Sequence, residues 1–387
     1  MNVLVIATKA PWPPIDGGRF LLLNTLQGLA SAGCRATLVA PVDSGRFDPV
    51  RVARELSPWC EPVLVPAAPL PPAVAMLRSG GAPLSIARHA LPAVRREVEC
   101  RLAAVRFDLI HAEQLQALPQ AVPALVRGIP VVLRAQNVES DLWAETARRG
   151  RGVRGFLLRR EAGKLAAWEG EAVRRAAATL ALTREDAGRL RELAGGGGRV
   201  GVVRAAFPDL PPGTGSLAGD PAVVVFGSRG WLPNEEAAAW FVAEVWPAVR
   251  KALPGAVLHL FGMDTGVPGV VAHPSLLDSA EVYAPGSILV VPLRIASGVR
   301  IKILEAWARG VPVVATPAAL SGLEAEDGRE ALVARDAREM AAAIRRIHQE
   351  PGRAAALVEA GRRARRERHD PGEVARRLME EYGKVAG

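Results

Sequence analysis

Residues 297–316 read "SGVRIKILEAWARGVPVVAT". Within them 299–310 has helical spacing. Gly310 is well suited to close that helix, because glycine takes the left-handed backbone of a helix C-terminus without steric cost. "VPVVAT" (311–316) then reads as a short buried strand, and "SILVVPL" (287–293) reads as the strand before the helix. A strand, a helix and a second strand in this order make a parallel crossover unit. The stretch therefore predicts an α/β fold built on a doubly wound sheet.

The same rhythm extends outward. "AVVVFG" (222–227) and "AVLHLFG" (256–262) are expected strands, with "PNEEAAAWFVAEVWPAVRKALP" (233–254) as one amphipathic helix between them. Upstream, "FPDLPPGTGSLAGDP" (207–221) has Pro, Gly and Ser with little periodicity, the composition of a linker. Before it, Val3–Ala7 is a β-branched apolar run that stops at the loop "KAPWPPIDGGRF". Leu21, Leu22, Thr25, Leu26 and Leu29 then recur at helical spacing as far as Gly33, and "ATLVAP" follows as a strand. Residues 107–114 and 129–137 are further buried strands. "ATLALTREDAGRLREL" gives a strand and a helix capped by Thr183, followed by a flexible turn at Gly195–Gly198. Two Arg-rich helical segments close the chain. The expected organisation is two Rossmann-like domains in tandem: 1–206, a linker at 207–221, 222–365, and a helix at 366–387 crossing back to the first domain.

Composition agrees and excludes. At 387 residues the chain suits about two domains, and 49% hydrophobic with 23% charged residues is an ordinary globular mix. Three scattered cysteines without a CxxC argue against a disulfide framework or a structural zinc site. Six histidines without an HExxH pattern argue against a built metal centre, so no metal is expected. No signal peptide precedes "NVLVIAT" and no apolar run approaches a membrane span, which fits a cytoplasmic protein. A dehydrogenase needs GxGxxG between a strand and a helix; Gly195–Gly198 precede a strand instead.

The net charge of +9 rests on 49 Lys/Arg, of which only five are lysine. Residues 148–175 hold nine Lys/Arg against three Glu, a local +6, with Val153, Phe156, Leu157 and Leu158 among the charges. Two readings stand. A basic amphipathic helix lies on an anionic membrane, placing the protein on the inner face of the cell membrane, or the helix is simply solvated and arginine-rich. Nucleic acid is disfavoured: there is no zinc motif or aromatic-rich basic strand, and the chain has only two tyrosines.

The chemistry concentrates at 297–316. Gly298 lets a backbone approach a ligand closely at the opening of a helix, whose unpaired N–H groups and positive dipole end suit a phosphate. Arg300 and Lys302 add cationic charge there, and Glu305, in the second turn, suits ribose or sugar hydroxyls. The opposing reading leaves Arg300 and Lys302 solvated and Glu305 in an ordinary ion pair.

"GVRIKILEAWARGVPVVAT" resembles the donor-site signature of the GT-B glycosyltransferases of the family-4 type. "VVFGSRGWLPNEEAAAWFVAEVWPAVRKALPGAVLHLFG", "APWPPIDGGRF" and "RAQNVESDLW" resemble further segments of that family. The resemblance implies two Rossmann-like domains facing across a cleft. It implies a retaining enzyme that moves a sugar from a nucleotide-diphosphate sugar to a glycan, lipid-linked or small-molecule acceptor in envelope or exopolysaccharide assembly. No cofactor beyond the donor substrate is implied. Arg300, Lys302 and Glu305 then carry the catalytic roles, with Glu305 on the nucleotide ribose. Gly227, Arg229, Ser297, Gly298 and Val299 complete the donor site. The family's first glutamate falls at Ser297, which shifts the sugar contact toward the amides of Ser297, Gly298 and Val299. Arg229 is the base nearest the position of a missing family lysine. Gly17 and Gly18 match a flexible loop near donor phosphates and acceptor, and Gln136, Asn137 and Glu139 match an acceptor-side segment in which Gln136 replaces histidine. His111, at the end of "FDLIHAE", either faces the cleft or is a satisfied core histidine. The departures at Ser297 and Gln136 also admit an inactive relative that binds or scaffolds.

Overall fold

The computed structural model describes residues 1–149, 152–227, 232–262, 267, 270–274, 279–294 and 298–386. The chain divides into two compact units. The first comprises Met1–Pro14, Gly18–Ala206 and Pro371–Gly387; the second comprises Ile15–Gly17 and Phe207–Asp370.

The first unit is built on seven parallel strands. They are β1 (Asn2–Ile6), β2 (Arg35–Val42), β3 (Glu61–Pro66), β4 (Leu109–Glu113), β5 (Val131–Ala135), β6 (Ala178–Ala181) and β7 (Val200–Val202), ordered β3-β2-β1-β4-β5-β6-β7. β1, β4 and β5 are buried almost end to end. A parallel sheet covered on both faces produces such continuous apolar runs rather than alternation. β3, "EPVLVP", carries two prolines, which a sheet tolerates at an edge, where no neighbour needs the missing N–H. At the turn expected at Gly195–Gly198, Gly198 has φ 79°, and a Cβ there would stand 2.5 Å from the Val173 carbonyl oxygen.

The last helix, Pro371–Ala386, belongs to this unit. Val374, Leu378 and Tyr382 join the core around Leu22, Leu26 and Leu29. Gly28 makes the approach possible, since a Cβ on it would stand 3.0 Å from the Ala375 Cβ. The expected boundary at 365/366 falls inside a continuous helix, Pro351–His369. The chain changes unit at 370/371, where Pro371 opens the next helix.

The second unit has six parallel strands: β8 (Ala222–Phe226), β9 (Val257–Phe261), β10 (Val270–His273), β11 (Ile288–Val291), β12 (Val313–Ala315) and β13 (Leu332–Val333), ordered β10-β9-β8-β11-β12-β13. The helix Ile301–Arg309 lies between β11 and β12 and ends at Gly310 with φ 80°. The single helix expected at 233–254 is interrupted. Leu232–Trp240 passes through a π turn, Phe241–Val245, into Trp246–Ala252. Pro247 accounts for the break, because it offers no N–H and its ring crowds the carbonyl four residues back. Phe241, Val245, Trp246 and Val249 still share one core face.

Residues 207–220 have no regular structure but are docked on the second unit. The Thr214 amide donates to the Ala280 carbonyl at 3.1 Å, Arg365 Nη1 donates to the Phe207 carbonyl at 3.0 Å, and Arg309 Nη1 donates to that of Pro211 at 3.1 Å. Gly213 is pressed against the backbone of Tyr283, where a Cβ would stand 1.9 Å from its oxygen. The composition of a linker here describes an extended strap that needs glycine to pass closely over a core.

Candidate functional site

In each sheet the strand order reverses once, between β1 and β4 in the first and between β8 and β11 in the second. Open α/β sheets bind ligands beyond the carboxyl ends of the strands at such reversals. In the second unit this point is framed by Gly227, after β8, and by the segment from Gly298 into the Ile301–Arg309 helix. Gly298 has φ 70°, a conformation that favours glycine. Val299 is buried, and Arg300, also buried, precedes the first helical turn, its carbonyl accepting from the Ile303 amide at 2.9 Å. Gly227 is required by packing: a Cβ there would stand 2.4 Å from the Asn234 carboxamide.

Lys302 is the central cation. It is not solvated: its Nζ donates to the Phe226 carbonyl at 2.6 Å and to Asn234 Oδ1 at 3.4 Å, and lies 4.9 Å from the Phe226 ring centre. The Tyr283 hydroxyl donates to the Lys302 carbonyl at 3.0 Å, which fixes the start of the helix. Burial of the amine pushes its pKa down to about 7, and the nearby Arg300 charge adds to the shift. This places a titrating ammonium beside a helix N-terminus, at the carboxyl end of β8.

Glu305 is engaged. Its Oε1 accepts from Arg309 Nε at 2.9 Å and from the Ser279 hydroxyl, and the pair is about nine-tenths buried. The ion-pair reading thus describes one carboxylate oxygen. Arg309 also lies over the Tyr283 ring, and burial, followed by the Glu305 charge, drives the Tyr283 pKa well above its ordinary value. Arg229 and Ser297 lie outside the described residues. Asn234, Ser279 and Arg309 are contributors that sequence reading missed.

The first unit presents a cavity of about 280 Å³ at its own reversal point, lined by Thr8 and Lys9 after β1, Asp43 after β2, and Gln114 and Gln116 after β4. Arg19, Arg46, Phe47 and His89 complete much of the wall. None of these was anticipated from sequence. Gln114 takes φ 71° and turns its side chain into a relay: the Thr8 hydroxyl donates to its Oε1 at 2.8 Å, and its Nε2 donates to Gln136 Oε1 at 2.8 Å. Gln136 Nε2 then donates to Glu113 Oε1 at 2.7 Å and reaches the Gly18 carbonyl at 3.4 Å.

Several expected roles change here. His111 does not face an open site. It is fully buried in mid-strand, with Nε2 2.7 Å from Glu113 Oε2 and Nδ1 against the Tyr382 hydroxyl. A carboxylate only accepts, so Nε2 carries the proton, and Nδ1 accepts from the tyrosine. Burial, with the Glu113 charge next, raises the Tyr382 pKa well above its ordinary value and keeps that donor protonated. Gly17 and Gly18 form the first turn of the helix Gly17–Ser31 rather than a flexible loop. Gln136 is a buried bridge in the relay. Glu139 opens the helix Glu139–Arg149; burial raises its pKa, opposed by hydrogen bonds from Asn137 and Gln116. That helix is capped from its neighbour Gly152–Arg175 by Glu169, which accepts from the Glu139 and Ser140 amides at 2.9 and 3.1 Å.

Among the described residues, no group of three or more His, Cys, Asp or Glu stands together as a metal site. None of their helices is long and apolar enough to cross a membrane. In the basic stretch, Lys164 pairs with Glu161 at 2.8 Å, and Arg174 and Arg175 both pair with Glu171. Val153, Phe156 and Leu157 are 77%, 59% and 54% exposed.

Residues 15–206 match the family described as Glycosyltransferase Family 4, and residues 221–350 match Glycosyl transferases group 1. Solved structures repeat the fold over nearly the whole chain. A sucrose-phosphate synthase from Thermosynechococcus elongatus is 16% identical with TM-score 0.73, covering 99% of this chain and 98% of its own. Anabaena HepE in complex with UDP-glucose is 15% identical with TM-score 0.66, covering 99% and 100%. A glycosyltransferase from Rickettsia africae is 11% identical with TM-score 0.65, covering 99% and 98%. A search among curated proteins finds no match.

Proposed function

The chain belongs to the family-4 glycosyltransferases of GT-B fold, and we propose that it moves a sugar, with its anomeric configuration retained, from a nucleotide-diphosphate sugar to an acceptor hydroxyl. The observation that carries the donor side is Lys302, a buried lysine beside a helix N-terminus at the reversal point of the second sheet. That HepE has been solved with UDP and with UDP-glucose supports a diphosphate ligand for this fold.

In this reading Lys302, Arg300 and the first amides of the Ile301–Arg309 helix hold the diphosphate. Gly227 and Gly298 allow close backbone approach, and the segment at Ser297, Gly298 and Val299 meets the sugar. Glu305 accepts from the ribose through the carboxylate oxygen that Arg309 and Ser279 leave. Arg229 remains a proposed phosphate contact. Catalysis is electrostatic: fixed cations and dipoles stabilise charge as it develops on the departing diphosphate. The chain's own cations supply that charge, so no metal cofactor is proposed.

The test is donor turnover over a panel of nucleotide-diphosphate sugars, with calorimetry of the matching nucleoside diphosphate and NMR of the product anomer. Donor-dependent transfer with retained configuration is expected. No turnover together with no diphosphate binding overturns the reading, and an inverted product overturns retention.

We further propose that 148–175 rests on an anionic membrane at the cytoplasmic face, serving envelope or exopolysaccharide assembly. Three exposed apolar side chains beside Arg159 and Arg160 support this. Sedimentation with vesicles containing anionic lipid is expected to fall severalfold in a Phe156→Ser, Arg159→Glu, Arg160→Glu variant; unchanged sedimentation refutes it.

A further inference from the structure

A carboxylate can only accept hydrogen bonds, and in the first unit that constraint is passed from residue to residue. Glu113, at the end of β4, is buried, and both of its oxygens are used: Oε2 by His111 Nε2 and Oε1 by Gln136 Nε2. Arg134, its register partner on β5, is buried too and carries the opposite charge; burial lowers the Arg134 pKa and the Glu113 charge opposes that shift. Gln136 must therefore turn its NH₂ toward Glu113. The Gly18 carbonyl, 3.4 Å from the same nitrogen, demands the same orientation. Gln136 Oε1 is left facing Gln114, which must offer its own Nε2 at 2.8 Å. Gln114 Oε1 then faces Thr8, and the Thr8 hydroxyl must donate to it at 2.8 Å. Each orientation is dictated by the one before it.

The consequence falls on the cavity, which Thr8 and Gln114 both line. A hydroxyl has one proton and two lone pairs. The Thr8 proton is committed to Gln114, so what Thr8 has left for a ligand is a lone pair. A ligand group that donates, as a hydroxyl does, is favoured there, and one that only accepts gains nothing. A Gln114 carboxamide free to turn over would impose no such preference, because it could present either end to Thr8. Gln136, which holds it, stands where the resembling family segment has histidine. The link is thus made by a residue that the family pattern does not supply.

We propose that Gln136 is a positioning residue for the acceptor substrate: it passes the demand of the buried Glu113 carboxylate on to Gln114 and Thr8, so that Thr8 reads a ligand hydroxyl as a hydrogen-bond donor. The inference rests on the transferase reading above, with the acceptor meeting the first unit. Gln136 itself touches no ligand in this scheme. Its effect is on selectivity, between a hydroxyl and a group of similar size that has no proton to give.

The experiment has two arms, both on the full chain. The first needs no ligand: side-chain amide NMR of glutamine-labelled protein. Gln136→Met is expected to release Gln114, whose amide protons should exchange about tenfold faster or more. Gln136→Asn keeps an amide but is one methylene too short to span Glu113 and Gln114, so it should act alike and serves if the methionine variant does not fold. A Gln114 amide unmoved in the folded variants overturns the proposal. The second arm saturates the chain with the nucleoside diphosphate that the donor panel selects. It compares binding of glucose with that of its monodeoxy and monodeoxyfluoro forms, since fluorine fills the place of a hydroxyl without a proton. At one ring position the wild type should bind both altered forms about tenfold more weakly than glucose. Thr8→Val should bind all three alike, because the two changes remove one interaction. The Gln136 variants should bind the fluoro form within about threefold of glucose, the Thr8 proton being free to turn outward. Equal weakening of all three probes by those variants marks a structural role and overturns the proposal, as does a Thr8→Val change to which no probe responds. If no nucleoside diphosphate binds and no donor turns over, the transferase reading fails instead, while the amide spectra still decide whether Gln136 orients Gln114.

Discussion

Replacing Lys302 with methionine should lower kcat/KM for the nucleotide-sugar donor about 10²–10³-fold, the cost of losing one pre-organised charge donor to a developing oxyanion. The same residue should also set a pH limb. Its folded-state pKa of about 7 leaves it charged below neutrality and neutral above. The diphosphate bridge of a nucleotide sugar keeps its charge throughout this range, so only the protein titrates. Donor binding selects the ammonium, and above pH 7 it must take up a proton. kcat/KM should therefore be flat below about pH 7 and fall about tenfold per unit above it. Lys302→Arg, charged at every accessible pH, should remove the limb while keeping much of the activity. Calorimetry in buffers of different ionisation enthalpy should show proton uptake above pH 7 in the wild type only. A wild-type profile flat from pH 6 to 9, or a limb that survives in the methionine variant, would sink the assignment. The stability effect has a definite sign. The unfolded lysine titrates near 10.5, so the unfolded state holds more protons between about 7 and 10.5, and this group makes folding more favourable as pH rises across that window.

The same lysine marks how far the sequence could be read. Its place in a strand–helix–strand unit after a glycine is a local matter, and local pattern also identifies β1, β2, β4, β5, β8, β9, β11 and β12. Buried parallel strands are continuous apolar runs, and such runs survive in one dimension. β3, β10 and β13 are different. Two prolines, a partly exposed pattern and a length of two residues leave each without that signature. The chemistry of Lys302 was not legible, because the carbonyl of Phe226 and the carboxamide of Asn234 reach it from distant positions in the chain. His111 shows the same limit. A histidine at a strand end suits a cleft, but Tyr382 returns from the C-terminal helix and fills its second nitrogen. The basic cavity was invisible for a related reason. Lys9 and Arg46 lie in loops of no particular pattern and Arg19 in the first turn of the Gly17–Ser31 helix, and the register of β1 beside β2 gathers them.

Glu305 carries the other large effect, and its partner separates structure from function. Arg309 and Glu305 form a pair about nine-tenths buried on one helix. Truncating either leaves the other charge buried without compensation, which costs about 3–5 kcal/mol. Arg309→Ala and Glu305→Ala should therefore destabilise the second unit by similar amounts, read by hydrogen exchange of the β11 and β12 amides. A loss of activity in either variant then says little about ribose recognition. Glu305→Gln is the informative change. Its carbonyl oxygen can still accept from Ser279 and Arg309, so Arg309 stays hydrogen-bonded and the fold should lose less stability than in either truncation, while the charge offered to a ribose hydroxyl is gone. Donor KM should rise about tenfold, consistent with the loss of a charge-assisted hydrogen bond worth about 1.5 kcal/mol. A donor lacking that ribose hydroxyl should cost the wild type a similar factor and the Gln variant almost nothing, because the two changes remove one interaction. If Glu305→Gln leaves donor KM unchanged, Glu305 holds Arg309 and the strap at Pro211 and does not read the nucleotide. The double change Glu305→Leu with Arg309→Met should then recover much of the lost stability, since a buried ion pair is often replaceable by apolar side chains of similar volume.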